Sequence, residues 1–412
     1  MTTATAIARD RGLARGLART ERKVKLRALA LTLPLLVFLL LTFVGPIGAL
    51  LTKSFVDTDI RRIFPRVTAA LQDWDGKALP PEPVWVALAD DIRTARAEGT
   101  LASAATRLNY DVTGYRSLLF STGRRLPDAI EGSAREAFVA IDPKWGEIET
   151  WGAIKRASGP VTDFFLLAAV DLKRDATGHI AQEPDDEVVF RMILGRTLWI
   201  AGMVTLVSLL VGYPTAWYLS RQSGTRAAIL LFLVLLPFWT SLLVRTVAWV
   251  VLLQREGVVN GALLHAGLIH EPLKMIFNRF AVYVAMVHVL LPFMILPLYS
   301  VMKAIPASYL RAAASLGAPP FLAWLRVYLP QTLPGIGAGC LMVFIQALGF
   351  YVTPALVGGA DDQMTPYFIA FYASKTINWG MAAALALILL AATMALYAVY
   401  QRLVGFDRMR LA

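Results

Sequence analysis

The residue types that carry catalysis and metal binding are scarce in this sequence of 412 residues. It has one cysteine and four histidines, and only His288 among the histidines lies in a long apolar stretch. One histidine without a carboxylate or cysteine nearby lacks the ligand set of a metal site. No phosphate-binding loop of the form G-x-x-x-x-G-K-[ST] is present, since Gly76-Lys77 lacks the first glycine. The sequence therefore predicts no catalytic residue, no metal site and no bound cofactor.

Polar and aromatic side chains inside apolar stretches are the remaining candidates for function, because lipid makes a polar side chain costly. Two sets have the spacing of one helix face: Pro237, Ser241, Arg245 and Trp249, and then Met342, Gln346, Phe350 and Thr353. Such faces line a solute pathway or, alternatively, pack and hydrogen-bond between helices. The predicted pathway residues are Trp239, Ser241, Arg245, Gln346, Phe350, Tyr351 and Thr353.

Long apolar helices are the elements that must position these side chains. Of all residues 57% are hydrophobic, and the mean hydropathy is +0.57. A helix of about 20 apolar residues crosses a bilayer, and it satisfies its own backbone polar groups there. The sequence thus predicts an all-α integral membrane protein with six transmembrane helices. The apolar stretches are Ala28–Leu51, Leu194–Leu219, Ala227–Leu253, Ala281–Met302, Ile336–Ala355 and Met381–Tyr400.

Basic residues flanking these stretches predict the orientation. Residues 1–27 are rich in arginine and lysine, which predicts a cytoplasmic tail before a first transmembrane helix at 28–52. A cleaved signal peptide is the alternative, but the apolar stretch is longer than the core of a signal peptide. Later loops alternate accordingly, with Lys303 inside and Asp361 outside. We expect a multi-pass inner-membrane protein with both termini, including 406–412, in the cytoplasm.

Residues 53–190 form a long polar insertion between the first two transmembrane helices. They hold 17 basic and 22 acidic residues, and alternation places them outside the cytoplasm. An amphipathic helix is predicted from the apolar spacing of Val84, Leu88, Ile92 and Ala95, with Asp91, Arg93 and Arg96 off that face. Further helices are predicted at Asp128–Ala140 and Lys144–Ser158. The insertion is a brace for the outer mouth or a docking surface for a partner.

The segment 304–330, between the fourth and fifth stretches, has the most informative local pattern. A short helix is predicted to start after Pro306, a residue suited to a first turn. Gly317 allows a turn with positive φ, and the Pro319-Pro320 pair separates a second helix near Phe321. A short helix with small residues at 312–314 fits a cleft on another protein, whereas the alternative is an ordinary helix-turn-helix.

This segment resembles the signature of binding-protein-dependent ABC importer permeases: E-A-A, three residues, Gly, nine residues, I-x-L-P. The matching positions are Ala312, Ala313, Gly317, Val327, Leu329 and Pro330, with Arg311 in place of the usual Glu. Other stretches resemble the spermidine/putrescine branch: residues 212–216, 237–241, 346–359 and 378–379. The resemblance extends over the permease core at 191–405 and the first apolar stretch.

The resemblance implies the six-helix type I ABC importer permease fold, in which 304–330 couples the permease to an ATPase. It also implies three kinds of partner: cytoplasmic ABC ATPase subunits, a second permease subunit and a periplasmic solute-binding protein. The implied solute is a polyamine or a related small organic solute, with opines or iron chelates as alternatives. A secondary transporter driven by an ion gradient is the alternative function. Such a protein often has internal repeats and ionisable residues in the membrane, and neither a repeat nor a membrane carboxylate is evident.

Overall fold

The computed structural model describes residues 24–174, 178–183 and 188–404. The chain divides into two compact units, Met1–Lys53 and Ser54–Ala412. The first unit contributes one apolar helix, Val24–Thr52, called span 1 here, which is long enough to cross a membrane. A π-helical turn interrupts it at Leu40–Val44. Most of the predicted cytoplasmic tails lie outside the described residues.

The second unit holds the other membrane helices. Four of them are single helices that are long and apolar enough to cross a membrane: span 2 at Phe190–Ser220, span 4 at Arg279–Ala304, span 5 at Pro320–Leu348 and span 6 at Trp379–Arg402. A bent pair, Gly224–Trp239 and Leu242–His265, forms span 3. Short helices between spans lie at Ser308–Ser315, Val352–Val357, Ala360–Asp362 and Thr365–Ser374. The predicted all-α fold is confirmed, with six spans when the bent pair counts as one.

Span 4 is the centre of this helical bundle, because spans 2 and 5 both pack closely against it. A Cβ atom on Gly212 of span 2 would lie 2.9 Å from Met294, and one on Gly339 of span 5 would lie 2.8 Å from the sulfur of the same residue. A Cβ atom on Gly335 would likewise lie 3.2 Å from the carbonyl oxygen of Pro297 in span 4. Small residues at these positions bring the helix backbones together, as is usual in membranes.

Span 3 is not the straight helix that the sequence predicts over Ala227–Leu253. Its two halves meet at 96°, and a 3₁₀ turn at Leu236–Trp239 precedes extended backbone at Thr240 and Ser241. Pro237 lies in that turn, where its ring and missing N–H disrupt an α-helix. The predicted common face from Pro237 to Trp249 is therefore wrong.

Span 5 is shifted towards the N-terminus relative to the predicted range of Ile336–Ala355. It begins at Pro320 and ends at Leu348, and a separate helix follows at Val352–Val357. Gly349 sits at the break, where a glycine costs a continuing helix about 1 kcal/mol. Phe350 and Thr353 thus do not continue the helix face of Met342 and Gln346, contrary to the prediction.

The insertion is helical and has its own apolar core. Trp85 packs against Trp151 with ring centroids 4.4 Å apart, and Phe138 packs against Trp145 at 5.2 Å, with all four rings fully buried. A two-stranded antiparallel sheet pairs Leu172–Arg174 with Ile180–Gln182 near the end of the insertion. Its helices are Asp59–Ile63, Pro65–Ala70, Glu82–Ala97, Leu101–Asp111, Tyr115–Arg125, Ala134–Ile141, Pro143–Gly146 (3₁₀), Ile148–Arg156 and Phe164–Ala168.

The predicted amphipathic helix of the insertion is present at Glu82–Ala97, and its predicted apolar face is buried. Asp91, expected off that face, is buried too, and its Oδ2 accepts a hydrogen bond from the Val67 amide at 2.8 Å. It caps the first turn of a neighbouring helix, and burial raises the pKa of its carboxyl. The helices predicted at Asp128–Ala140 and Lys144–Ser158 begin later, at Ala134 and Ile148.

The insertion contacts the first turns of span 6. The ring of Phe165 lies so close to Gly380 that no Cβ atom fits between them. Close by, the hydroxyl of Tyr110 donates a hydrogen bond to the carbonyl oxygen of Thr376 at 3.3 Å. These contacts agree with the prediction that the insertion braces one end of the helical bundle. That role stays a prediction.

Candidate functional site

The turn at Gly317 has the backbone conformation that the sequence predicts. Gly317 has φ of +82°, and it follows the helix Ser308–Ser315. The Gly317 amide donates to the Ala314 carbonyl at 3.0 Å, and the Ala318 amide donates to the Ala313 carbonyl at 3.0 Å. This pair of bonds is the Schellman arrangement, which satisfies the last carbonyls of a helix and requires a left-handed residue.

Prolines then start the next helix. Pro319 is extended, and Pro320 occupies the first turn of the helix that becomes span 5. A π-helical stretch at Trp324–Tyr328 carries Val327, and Leu329 and Pro330 follow directly in the same span. The residues that match the permease signature thus lie on two helices separated by the Gly317 turn.

The ends of three spans hold this segment at its base. Lys303, at the end of span 4, donates hydrogen bonds to the carbonyl oxygens of Ser220 at 3.1 Å and Gln222 at 2.6 Å. The ring of Tyr213 in span 2 packs edge-on against Trp324, with centroids 6.1 Å apart. Sequence patterns did not identify Lys303 and Tyr213 as positioning residues, because their partners are remote along the chain.

Large apolar side chains surround the turn and are exposed. Leu316 is 88% exposed and Phe321 is 71% exposed, with Tyr309 at 50%. In Ser308–Ser315, Arg311 and Ala312 are exposed and Ala313 is half-buried. No ion pair of Arg311 is seen among the described residues. The segment therefore presents an apolar surface with exposed cations at Arg311 and Arg326, which is suited to insertion into a groove of another protein.

The predicted pathway residues of span 3 lie at and beyond its bend. Trp239 is 81% exposed at the end of the first half, and Ser241 precedes the helix Leu242–Leu253. The Arg245 amide donates to the Ser241 carbonyl oxygen at 3.1 Å in the first turn of that helix. The Arg245 side chain is half-buried, and its Nε and Nη1 atoms are shielded from water without a hydrogen-bond partner in the described part of the chain.

The predicted pathway residues after span 4 separate into exposed and buried groups. Gln346 and Tyr351 are exposed, whereas Phe350 is half-buried against the apolar core of the bundle. Thr353 is fully buried, and its hydroxyl is 3.1 Å from the hydroxyl of Thr246. That bond joins the short helix Val352–Val357 to span 3, and the assignment of these residues to a pathway stays a prediction.

His288 has a structural partner within the bundle. Its Nδ1 accepts a hydrogen bond from Nε1 of Trp249 at 3.2 Å. Over residues 24–174, 178–183 and 188–404, no three histidine, cysteine or acidic side chains are grouped as a metal site would require.

The amino-acid sequence of this chain is similar to those of known proteins. Residues 197–405 match the family described as binding-protein-dependent transport system inner membrane component. The spermidine/putrescine transport system permease protein PotB of Haemophilus influenzae is 36% identical over 249 residues, which cover 59% of this chain and 87% of that protein. PotB of Escherichia coli K12 is 35% identical over 217 residues, which cover 53% of this chain and 78% of that protein.

A solved structure has a partial likeness to the chain. It is a bacterial ABC transporter involved in the import of the acidic polysaccharide alginate, at 17% identity and a TM-score of 0.44, covering 52% of this chain and 78% of the matched chain. The family match spans half of the sequence, including spans 3 to 6 and the Gly317 turn. The chain belongs to the family of binding-protein-dependent transport system inner membrane components.

Proposed function

We propose that the chain is the permease subunit of an ATP-driven importer, which works with separate ATPase subunits, a second permease and a periplasmic binding protein. As a family member it is a multi-pass inner-membrane transport permease and not an enzyme. The observation that carries the proposal is the Gly317 turn, which presents exposed apolar side chains on a base formed by spans 2, 4 and 5. A segment held in this way transmits movement of an ATPase to the membrane helices that form its base.

The solute that we propose is a polyamine or a related small organic cation. This rests on the two PotB relatives, whose names describe spermidine/putrescine transport. Exposed aromatic side chains at Trp239 and Tyr351 are suited to an organic cation, because aromatic faces attract ammonium groups. The coupling residues Arg311, Ala312, Ala313, Gly317, Val327, Leu329 and Pro330 belong to the same proposal.

Deletion of the gene should abolish high-affinity uptake of labelled putrescine, spermidine or both, and a plasmid copy should restore it. The same strain is assayed with an opine and an iron chelate as controls, and their uptake should be unchanged. Unchanged uptake of both polyamines together with loss of an opine or iron chelate would replace the solute and leave the permease assignment in place.

We further propose that both termini are cytoplasmic and that residues 53–190 lie outside. The support is the basic character of the segments at Arg221, Lys303 and Arg326, and the acidic pair Asp361-Asp362 on the opposite side of span 5. Reporter fusions at Gly76 and Gly178 should give the signal of the outer compartment. A fusion after Gln222, just before span 3, should give the cytoplasmic signal. Cytoplasmic signals from Gly76 and Gly178 would contradict this orientation.

A further inference from the structure

Arg245 carries a charge that no other residue in the described part of the chain neutralises. Its Nε and Nη1 atoms are shielded by neighbouring groups and have no hydrogen-bond partner in the described residues, so Nη2 is the accessible nitrogen of the guanidinium. The side chain lies in an apolar helix, Leu242–Leu253, whose exposed residues include Val244, Val247 and Val251. An unpaired charge in such surroundings is unfavourable until an anion approaches it.

The sequence offers no such anion within the membrane helices. No aspartate or glutamate lies in spans 1, 2, 4, 5 and 6 or in the two long helices of span 3, Gly224–Leu235 and Leu242–Leu253. Glu256 lies in the turn beyond Leu253. A second copy of this chain would have the same composition, so the membrane helices of a symmetric pair would offer no carboxylate to either Arg245.

We propose that Arg245 pairs with a carboxylate in a membrane helix of a second permease that differs in sequence from this chain. The inference rests on the proposed function, in which two permeases enclose the pathway. The accessible edge of the guanidinium supplies the charge complementarity.

The test converts the proposed ion pair into a covalent bond. Arg245→Lys places a primary amine at the site, and the complex is purified with its ATPase and second permease. Dicyclohexylcarbodiimide, which enters membranes, activates a carboxylate, and the lysine nitrogen then forms an amide as the urea leaves. We expect mass spectrometry to find Lys introduced at position 245 joined to an aspartate or glutamate in a membrane helix of the second permease. The Arg245→Gln complex should give no such peptide.

A second measurement removes the charge without cross-linking. Arg245→Gln should lower recovery of the second permease with this chain by more than about tenfold, while the ATPase stays bound. Arg226→Gln, a change at an exposed arginine of the same span, is the matched control and should leave recovery unchanged. Failure of the unsubstituted chain to bind any second permease would instead contradict the proposed function.

Several results would overturn the ion pair itself. A cross-link to a copy of this chain would assign the contact to a symmetric dimer. A cross-link to a carboxylate-bearing solute would make Arg245 a solute ligand. Absence of any cross-link, with full recovery of the second permease by Arg245→Gln, would leave no partner carboxylate at this position.

Discussion

Gly317→Asp is expected to abolish solute uptake and to reduce recovery of the ATPase, with normal amounts of the protein in the membrane. A side chain at the observed φ of +82° costs about 1–2 kcal/mol, because Cβ approaches the carbonyl oxygen. Nothing lies within 4 Å of the position that a Cβ would occupy, so the substitution creates no clash within the chain. The new carboxylate instead projects from the exposed turn towards the proposed ATPase groove. Uptake, membrane abundance and ATPase co-purification are measured together.

Two control variants separate the effect of a side chain in the proposed ATPase groove from the effect of backbone strain. Gly267→Asp has the same chemistry at φ of +69°, again with open space around the Cβ, in the loop before span 4. We expect near-normal uptake from it. Gly317→Asn should be milder than Gly317→Asp, because asparagine tolerates the left-handed region and adds no charge. Normal uptake by Gly317→Asp at normal abundance would contradict the coupling role.

Arg107→Met is expected to destabilise the insertion by about 3–5 kcal/mol, because it leaves a buried carboxylate without its partner. Arg107 and Asp57 form an ion pair, and both side chains are 5% exposed. The guanidinium carbon also lies 4.7 Å from the ring centroid of Phe164 and 5.0 Å from that of Phe165. Because Phe165 packs on Gly380, we expect the contact with span 6 to loosen too. Hydrogen exchange across residues 54–170 of the purified full-length protein measures both effects.

The matched control is an exposed ion pair in the same insertion. Arg62 lies 3.9 Å from Asp59, and the two side chains are 77% and 58% exposed. Arg62→Met should change the stability by less than about 1 kcal/mol. The double change Arg107→Met with Asp57→Leu should recover part of the lost stability, because it removes the unpaired charge. Equal exchange protection in Arg107→Met and Arg62→Met would show that the buried pair does not stabilise the insertion.

The sequence by itself determined the features that depend on neighbouring residues. Long apolar runs place the spans because lipid demands helices whose backbone groups are satisfied internally. The Gly317 turn could be predicted for the same local reason: its hydrogen bonds join residues of one helix end, and glycine permits the left-handed conformation. Likewise the 3.6-residue period alone identified the buried face of Glu82–Ala97.

Only the tertiary structure decided features whose partners are distant in sequence. Pro237 and Gly349 can each interrupt a helix locally, but the sequence does not fix the 96° bend of span 3 or the end of span 5 at Leu348. The short helix after Gly349 is set against span 3 by the hydroxyl pair of Thr353 and Thr246. Asp91 is buried because a helix end of the neighbouring segment needs its carboxylate, which periodicity along one helix does not reveal. The hydrophobic pattern shows whether each segment prefers lipid or water. These contacts depend instead on which segments pack against each other in the folded protein.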